Sequence, residues 1–229
     1  MLKALRLATA AAIAIAAPFA AQAAETVEVA PATADRMVTV SAYDPIGQSF
    51  TATTDTLSSF GFRFGTLNAS SPNTPLTFRL LAGETLTGSA LFTQVFTLPS
   101  TIAQRGDLAW VDIALPDLPV TMNSIYTAVL TATSSRAGLQ VGPGYSYSPP
   151  GLKSGDVYAG GKLLSTGTTY SNCAGASNNC DAVFRYTGEV NAAGAVPEPA
   201  TWALMILGFA AVGGALRKRG SRSLAFNPA

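Results

Sequence analysis

Leu57-Ser58-Ser59-Phe60-Gly61-Phe62-Arg63-Phe64 is the stretch that decides the fold. Phe60, Phe62 and Phe64 lie two apart, with Gly61 and Arg63 between them. Successive side chains of a strand point to opposite faces, so the three phenylalanines share one face. That face must be buried against another layer. The stretch predicts a strand over 57–64 that presents an aromatic row to a core.

The same alternation recurs outward from it. Val111, Ile113 and Leu115 oppose Trp110 and Asp112, and Tyr126, Ala128 and Leu130 alternate with Ile125, Thr127 and Val129. Short apolar runs return about every ten residues between turn residues. They predict strands at 47–53, 57–64, 76–81, 90–98, 109–115, 125–133, 156–164 and 182–190. No helical period holds over a useful length, and no internal repeat is visible. Ser70-Ser71-Pro72-Asn73-Thr74-Pro75 and the stretch 142–155 read as loops. Gly160-Gly161 reads as a strand kink or bulge. About eight short strands with Pro, Gly and Ser turns argue an antiparallel two-sheet sandwich over 24–190.

Composition removes several chemistries. The 229 residues include no histidine and two cysteines. There is no Ser-His-Asp or Cys-His arrangement, no His-ligated zinc and no four-thiolate metal site. The net charge of +1 gives no footprint for nucleic acid. That value mixes unlike parts. All thirteen acids lie between Glu25 and Glu198, where only eight Lys and Arg accompany them, so this region carries −5.

The two ends read as addresses. Lys3 and Arg6 precede an alanine-rich apolar run, 7–17, then Pro18 and the small-residue sequence Ala21-Gln22-Ala23. That order predicts a signal peptide over 1–23, removed by signal peptidase, and hence export to an oxidising compartment. At the other end, Pro197-Glu198-Pro199 precedes Trp202-Ala203, an apolar run and Arg217-Lys218-Arg219. The run 200–216 would be roughly 25 Å long as a helix, against a hydrocarbon core of about 30 Å. Trp202 suits one membrane interface and the basic cluster suits the cytoplasmic one. A single membrane-spanning helix is expected there. The proline pair keeps its approach extended.

Pro197-Glu198-Pro199, two residues and Trp202-Ala203, followed by the helix and the basic cluster, closely resemble the PEP-CTERM sorting signal of the PEPxxWA subtype. Such signals belong to exopolysaccharide-producing Gram-negative bacteria. The resemblance implies recognition by an exosortase, a cut near Pro197–Pro199 and transfer from the inner membrane to the cell surface or extracellular matrix. The chain is then the substrate of that enzyme. The organisation expected is 1–23 signal peptide, 24–190 ectodomain, 191–196 linker, 197–219 sorting signal and 220–229 cytoplasmic tail.

The body resembles bacterial extracellular jelly-roll domains that are joined to sorting or anchoring tails. The matching pieces include Gln48-Ser49-Phe50, the strand 57–64, Phe78-Arg79-Leu80-Leu81, Trp110-Val111-Asp112-Ile113, Tyr158-Ala159-Gly160-Gly161 and Asp181-Ala182-Val183-Phe184-Arg185. The resemblance implies an all-β, jelly-roll-like sandwich and leaves the ligand open.

Chemistry within the body is sparse. Cys173 and Cys180, the only cysteines, are expected to form a disulfide closing a small loop, worth roughly 2–3 kcal/mol on the loop-entropy model. Two carboxylates suffice for glycoside hydrolysis, and Asp44, Asp112, Asp156, Asp181 and Glu189 are the available set. Nothing in the sequence pairs any two of them, and Asp44-Pro45 and Gly155-Asp156 read as turns. A structural calcium ion is compatible with such a sandwich, since it needs only oxygens, but no D-x-D-x-D-G loop names its ligands. Tyr145 and Tyr147 sit on an expected loop, where an exposed ring could stack on a sugar. No catalytic residue and no cofactor are expected. The reading is a non-enzymatic surface or matrix protein of the exopolysaccharide envelope or biofilm. A carbohydrate-binding module and a polysaccharide hydrolase are the alternatives.

Overall fold

The structure is a computed structural model that describes residues 199–220 and residues 23–190, except 33, 35, 68, 144, 148–149, 153–155 and 167–179. The body and the C-terminal helix belong to separate units. In the body the strands are β1 (Ala23–Val29), β2 (Arg36–Thr39), β3 (Ile46–Thr51), β4 (Thr56–Thr66), β5 (Leu76–Ala82), β6 (Ala90–Phe96) and β7 (Leu108–Pro119). They continue with β8 (Ile125–Thr131), β9 (Ala137–Gly142), β10 (Tyr145–Tyr147), β11 (Pro150–Leu152), β12 (Leu163–Ser165), β13 (Asp181–Ala182) and β14 (Phe184–Val190).

These strands build two antiparallel sheets and a small hairpin. One sheet has the order β12-β3-β8-β5-β6. The other joins β1, β14, β4, β9 and β13, with β7 on β4 and β2 on β9; β10 and β11 pair with each other alone. The two sheets enclose one core. Phe60, Phe62, Phe64, Phe184 and Tyr186 from the larger sheet are buried with Phe50, Phe78, Leu80 and Leu130 from the smaller. Phe50 and Phe60 meet across the sheets with ring centroids 5.1 Å apart.

The alternation at 57–64 holds, with one refinement. Leu57 and Phe60 are both fully buried although they are three apart. The ladder between β4 and β7 shifts register between Leu57 and Ser59. Between those pairs β4 runs through Ser58 alone while β7 runs through Leu115, Pro116 and Asp117, so the irregularity lies on β7 and breaks the strict alternation of the ladder there.

Three expectations are corrected. The strand expected over 156–164 shortens to β12. Asp156 Oδ1 accepts the Tyr158 backbone N–H at 3.0 Å, and the Gly161 N–H bonds to the Tyr158 carbonyl, so this backbone turns. The loop expected over 142–155 contains the hairpin β10–β11. The strand expected over 182–190 is interrupted at Val183. There the N–H bonds to Gln140 and the C=O accepts from Arg63, which splits the chain into β13 on β9 and β14 on β4.

Strands β1, β2 and β9 were not expected. In β9 every residue, Ala-Gly-Leu-Gln-Val-Gly, is buried, so the period-two signal is absent. In β8 both faces are covered too. The segment after β5 folds over the outer face, where Thr127 Oγ1 donates to the Gly83 carbonyl at 2.6 Å and accepts from the Thr85 N–H.

Gly161 marks a close approach rather than a bulge. A Cβ on it would lie 1.8 Å from the Ser49 carbonyl oxygen of β3 and 3.0 Å from the Phe50 nitrogen. Neither backbone atom has room to move. Gly161→Ala is expected to destabilise the body by about 3 kcal/mol or more, the upper end for overpacking. Urea denaturation of the purified protein measures it, and an unchanged midpoint would contradict the geometry.

The C-terminal helix α1 (Pro199–Gly220) begins at the last residue of the Pro-Glu-Pro motif. Leu204, Met205, Ile206, Leu207 and Phe209 are exposed. Four of them are consecutive and so occupy every side of the helix. The single membrane-spanning helix expected from the sequence is not found: among the described residues, no helix is long and apolar enough to cross a membrane. The apolar run of α1 from Ala200 to Leu216 is about 25 Å long, and Arg217 ends it, short of a core of about 30 Å. The signal peptide before Ala23, the linker, Pro197, Glu198 and the tail beyond Gly220 lie outside the described residues.

Candidate functional site

The body's main polar constellation lies where the chain passes between the sheets. The Leu163 N–H of β12 bonds to the Cys180 carbonyl at 2.8 Å, and the very next residue, Asp181, is already paired with Gly142 of β9. Asp181 is 1% exposed. Gln48 of β3 reaches it from the opposite sheet. Its Nε2 donates to Asp181 Oδ1 at 2.8 Å and its Oε1 accepts the Ala182 N–H at 2.7 Å. Gln48 is thus a clamp between sheets, and its amide is used at both ends. Asp181 Oδ2 has no hydrogen-bond donor among the described residues.

What meets Asp181 is a second acid. Asp156 repels the charge of Asp181, while the Tyr158 backbone N–H favours it. Burial, above all, pushes the Asp181 carboxyl from 3.8 up to about 7; Asp156 raises it further and the Gln48 amide opposes the rise. Two ionised carboxylates do not bond to each other. The contact becomes a hydrogen bond only when a proton is shared. Tyr158 closes the cluster, with its ring edge-on to Phe184 at 5.1 Å. Burial pushes its phenol up to about 12, while its hydroxyl stays tied to the Thr51 backbone.

The remaining sequence candidates are dispersed. Asp112 receives both Nε (2.8 Å) and Nη2 (2.6 Å) of Arg185, whose guanidinium lies 4.5 Å from the centre of the Trp110 ring. Arg185 also reaches Glu28 at 3.4 Å. Gly61 makes room for this pair, since a Cβ there would overlap Asp112 Oδ1. Asp44 Oδ1 accepts the Ala132 N–H at 3.2 Å, which fits a turn residue. Tyr145 and Tyr147 lie on β10, in register with Leu152 and Pro150. Cys180 is buried and is not a free thiol, and Cys173 lies outside the described residues. Among the described residues no group of three or more acidic or cysteine side chains could hold a metal ion.

The sequence offers Asp156 and Asp181 only as members of a set of acids that it does not pair. The Asp156–Asp181 contact was missed because the two residues are on separate segments. The faint signal was an acid inside an apolar run, Cys180-Asp181-Ala182-Val183-Phe184, where burial demands a polar partner.

The C-terminal element is organised differently. Pro199 opens α1, Trp202 is exposed on its first turn, Ala203 follows, and Arg217, Lys218 and Arg219 occupy its end. Residues 195–219 match the family described as the PEP-CTERM protein-sorting motif. The chain carries a PEP-CTERM sorting signal. The match spans Pro197, Glu198, Pro199, Trp202, Ala203 and the basic cluster. A PEP-CTERM signal implies an exosortase-processed surface protein, exported as a membrane-anchored precursor, with the exosortase as processing partner. No curated protein and no solved structure matches the chain.

Proposed function

We propose that this PEP-CTERM protein is a non-enzymatic component of the extracellular matrix or biofilm envelope, released there when an exosortase removes α1. The observation that carries the reading is the sorting motif at 195–219 behind a closed, two-sheet body. The disposition of the acids supports a role without catalysis. Asp112 is held bidentately by Arg185. Asp156 and Asp181 touch, whereas the carboxyls of glycosidases stand about 5–9.5 Å apart to flank a sugar bond. The helix supports a transient role. A helix apolar on every side has no solvated face, so it needs lipid or another protein until it is cut away. The body also begins where the signal peptide would end, because Ala23 already pairs with Val190.

Intact mass of the protein recovered from its host's surface and medium tests this. The expected species starts at Ala24 and ends near Pro197–Pro199. It is lighter by two hydrogens than its reduced form, as a Cys173–Cys180 disulfide requires. A mass that still reaches Ala229 would overturn processing and make the protein a permanently anchored ectodomain.

A further inference from the structure

We infer that two copies of this chain join edge to edge through β6, forming one continuous sheet across a two-fold axis at Gln94. The observation is an unguarded edge. Among the described residues β6 pairs only with β5 and ends its sheet. The backbone N–H and C=O groups on its far side are a template for another strand, and folded proteins blunt such edges with charge, proline or brevity. The other edges of the body are blunted in these ways. β1 carries Glu25 and Glu28, and β7 carries Asp112, Pro116, Asp117 and Pro119. β2, β12 and β13 have four, three and two residues. β6 has seven residues, Ala-Leu-Phe-Thr-Gln-Val-Phe, without charge or proline. No charged residue lies anywhere between Glu84 and Arg105.

The occupant follows from the order of the residues. The ladder with β5 steps past Leu91, which leaves Phe92–Phe96 as the regular part of the strand. Phe92-Thr93-Gln94-Val95-Phe96 reads nearly the same in both directions. Paired antiparallel with itself about Gln94, it sets Phe92 against Phe96 of the second copy, Thr93 against Val95 and Gln94 against Gln94. Aromatic rings meet aromatic rings, β-branched side chains meet each other and no like charges are opposed.

The core is also open along this edge. Phe92 and Phe96 pack on it, 6.4 Å from Phe78 and 5.9 Å from Phe64, yet both are only half-buried. Phe60, Phe62, Phe64 and Phe78 are fully buried. On the outer face Val95 is 62% exposed. A second copy covers the open phenylalanines and uses both free edges at once, so assembly closes at a dimer. Each copy brings a strand of seven residues, against about 20–30 residues a side in a standard interface, so the association is reversible.

The test uses the chain purified from its host. In sedimentation it is expected to be half dimeric at about 10–100 μM, the weak end for a small interface. Gln94→Lys opposes two like charges at the axis and should weaken the dimer at least tenfold, with the far-ultraviolet circular dichroism unchanged. Opposed residues of an antiparallel pair have Cα atoms about 4.5–5.5 Å apart, within the reach of a disulfide. Gln94→Cys treated with diamide should therefore run as a covalent dimer on a non-reducing gel, whereas Thr121→Cys, on an exposed turn, should not. A wild-type chain that stays monomeric across that concentration range overturns the interface. So does a dimer that survives Gln94→Lys, as one held by α1 would. If Gln94→Lys fails to fold, Gln94→Cys decides, and failure to cross-link beyond Thr121→Cys overturns the axis. Neither readout requires that α1 be removed, so failure here and failure of the proposed processing are separable.

Discussion

Phe60→Ala is expected to remove most of the stability of the body. The Phe60 ring is fully buried and stacks on Phe184 at 5.7 Å with an interplanar angle of 3°. It also meets Phe50 and Phe62 at 5.1 Å and Phe78 at 5.8 Å. It thus joins β4 and β14 of the larger sheet to β3 and β5 of the smaller. Truncating a buried phenylalanine typically costs about 3–5 kcal/mol, and each aromatic pair adds about 0.5–1.5 kcal/mol. A domain is stable by only about 5–15 kcal/mol in total. Urea denaturation should show a midpoint lowered by at least a third. Phe60→Leu, which keeps most of the volume, should cost less than half as much. A loss under 1 kcal/mol for the alanine variant would mean that the sheets do not share one core.

Asp181→Asn is expected to stabilise the protein at alkaline pH and to leave it nearly unchanged in acid. The folded carboxyl titrates at about 7 and its ordinary value is 3.8. The folded state therefore binds this proton more tightly than the unfolded chain does. Its contribution to stability is fully present below about pH 4, falls as pH rises, and is lost above about pH 7. The whole window is worth about 4 kcal/mol at most. Asparagine keeps the acceptor for Gln48 and turns an N–H toward Asp156, so it carries no such pH cost. Denaturation at pH 4.5 and pH 8 measures the difference. Equal destabilisation of the variant at both pH values would show that geometry, not charge, governs the clamp.

The readability of the fold follows from how its strands are exposed. β4 declared itself through Phe60, Phe62 and Phe64, and β7 through Ile113 and Leu115, because one face is buried and the other meets solvent. β9 gave no such contrast, being covered on both sides. β1 was silent because residues 23–29 give only weak alternation in a strand that pairs on one side with β14. The turn at Asp156 was legible, yet its consequence, a shortened β12, was not, since the Tyr158 N–H is taken by a side chain instead of a neighbouring strand.

The sorting element needed no tertiary structure. Its elements lie in one continuous segment, and Pro197-Glu198-Pro199, Trp202 and Arg217–Arg219 are read in linear order by their spacing along the chain. The body's polar centre is the opposite case. Gln48 and Asp181 were both visible as fragments of a sandwich, but 133 positions separate them. Only the crossing from β12 to β13 brings them together and sets Asp156 against them. By itself, the sequence determined the address and the β class, because local spacing encodes both. Tertiary structure decided which acid is buried, what holds it and what faces it, because burial and charge proximity are properties of the packed chain.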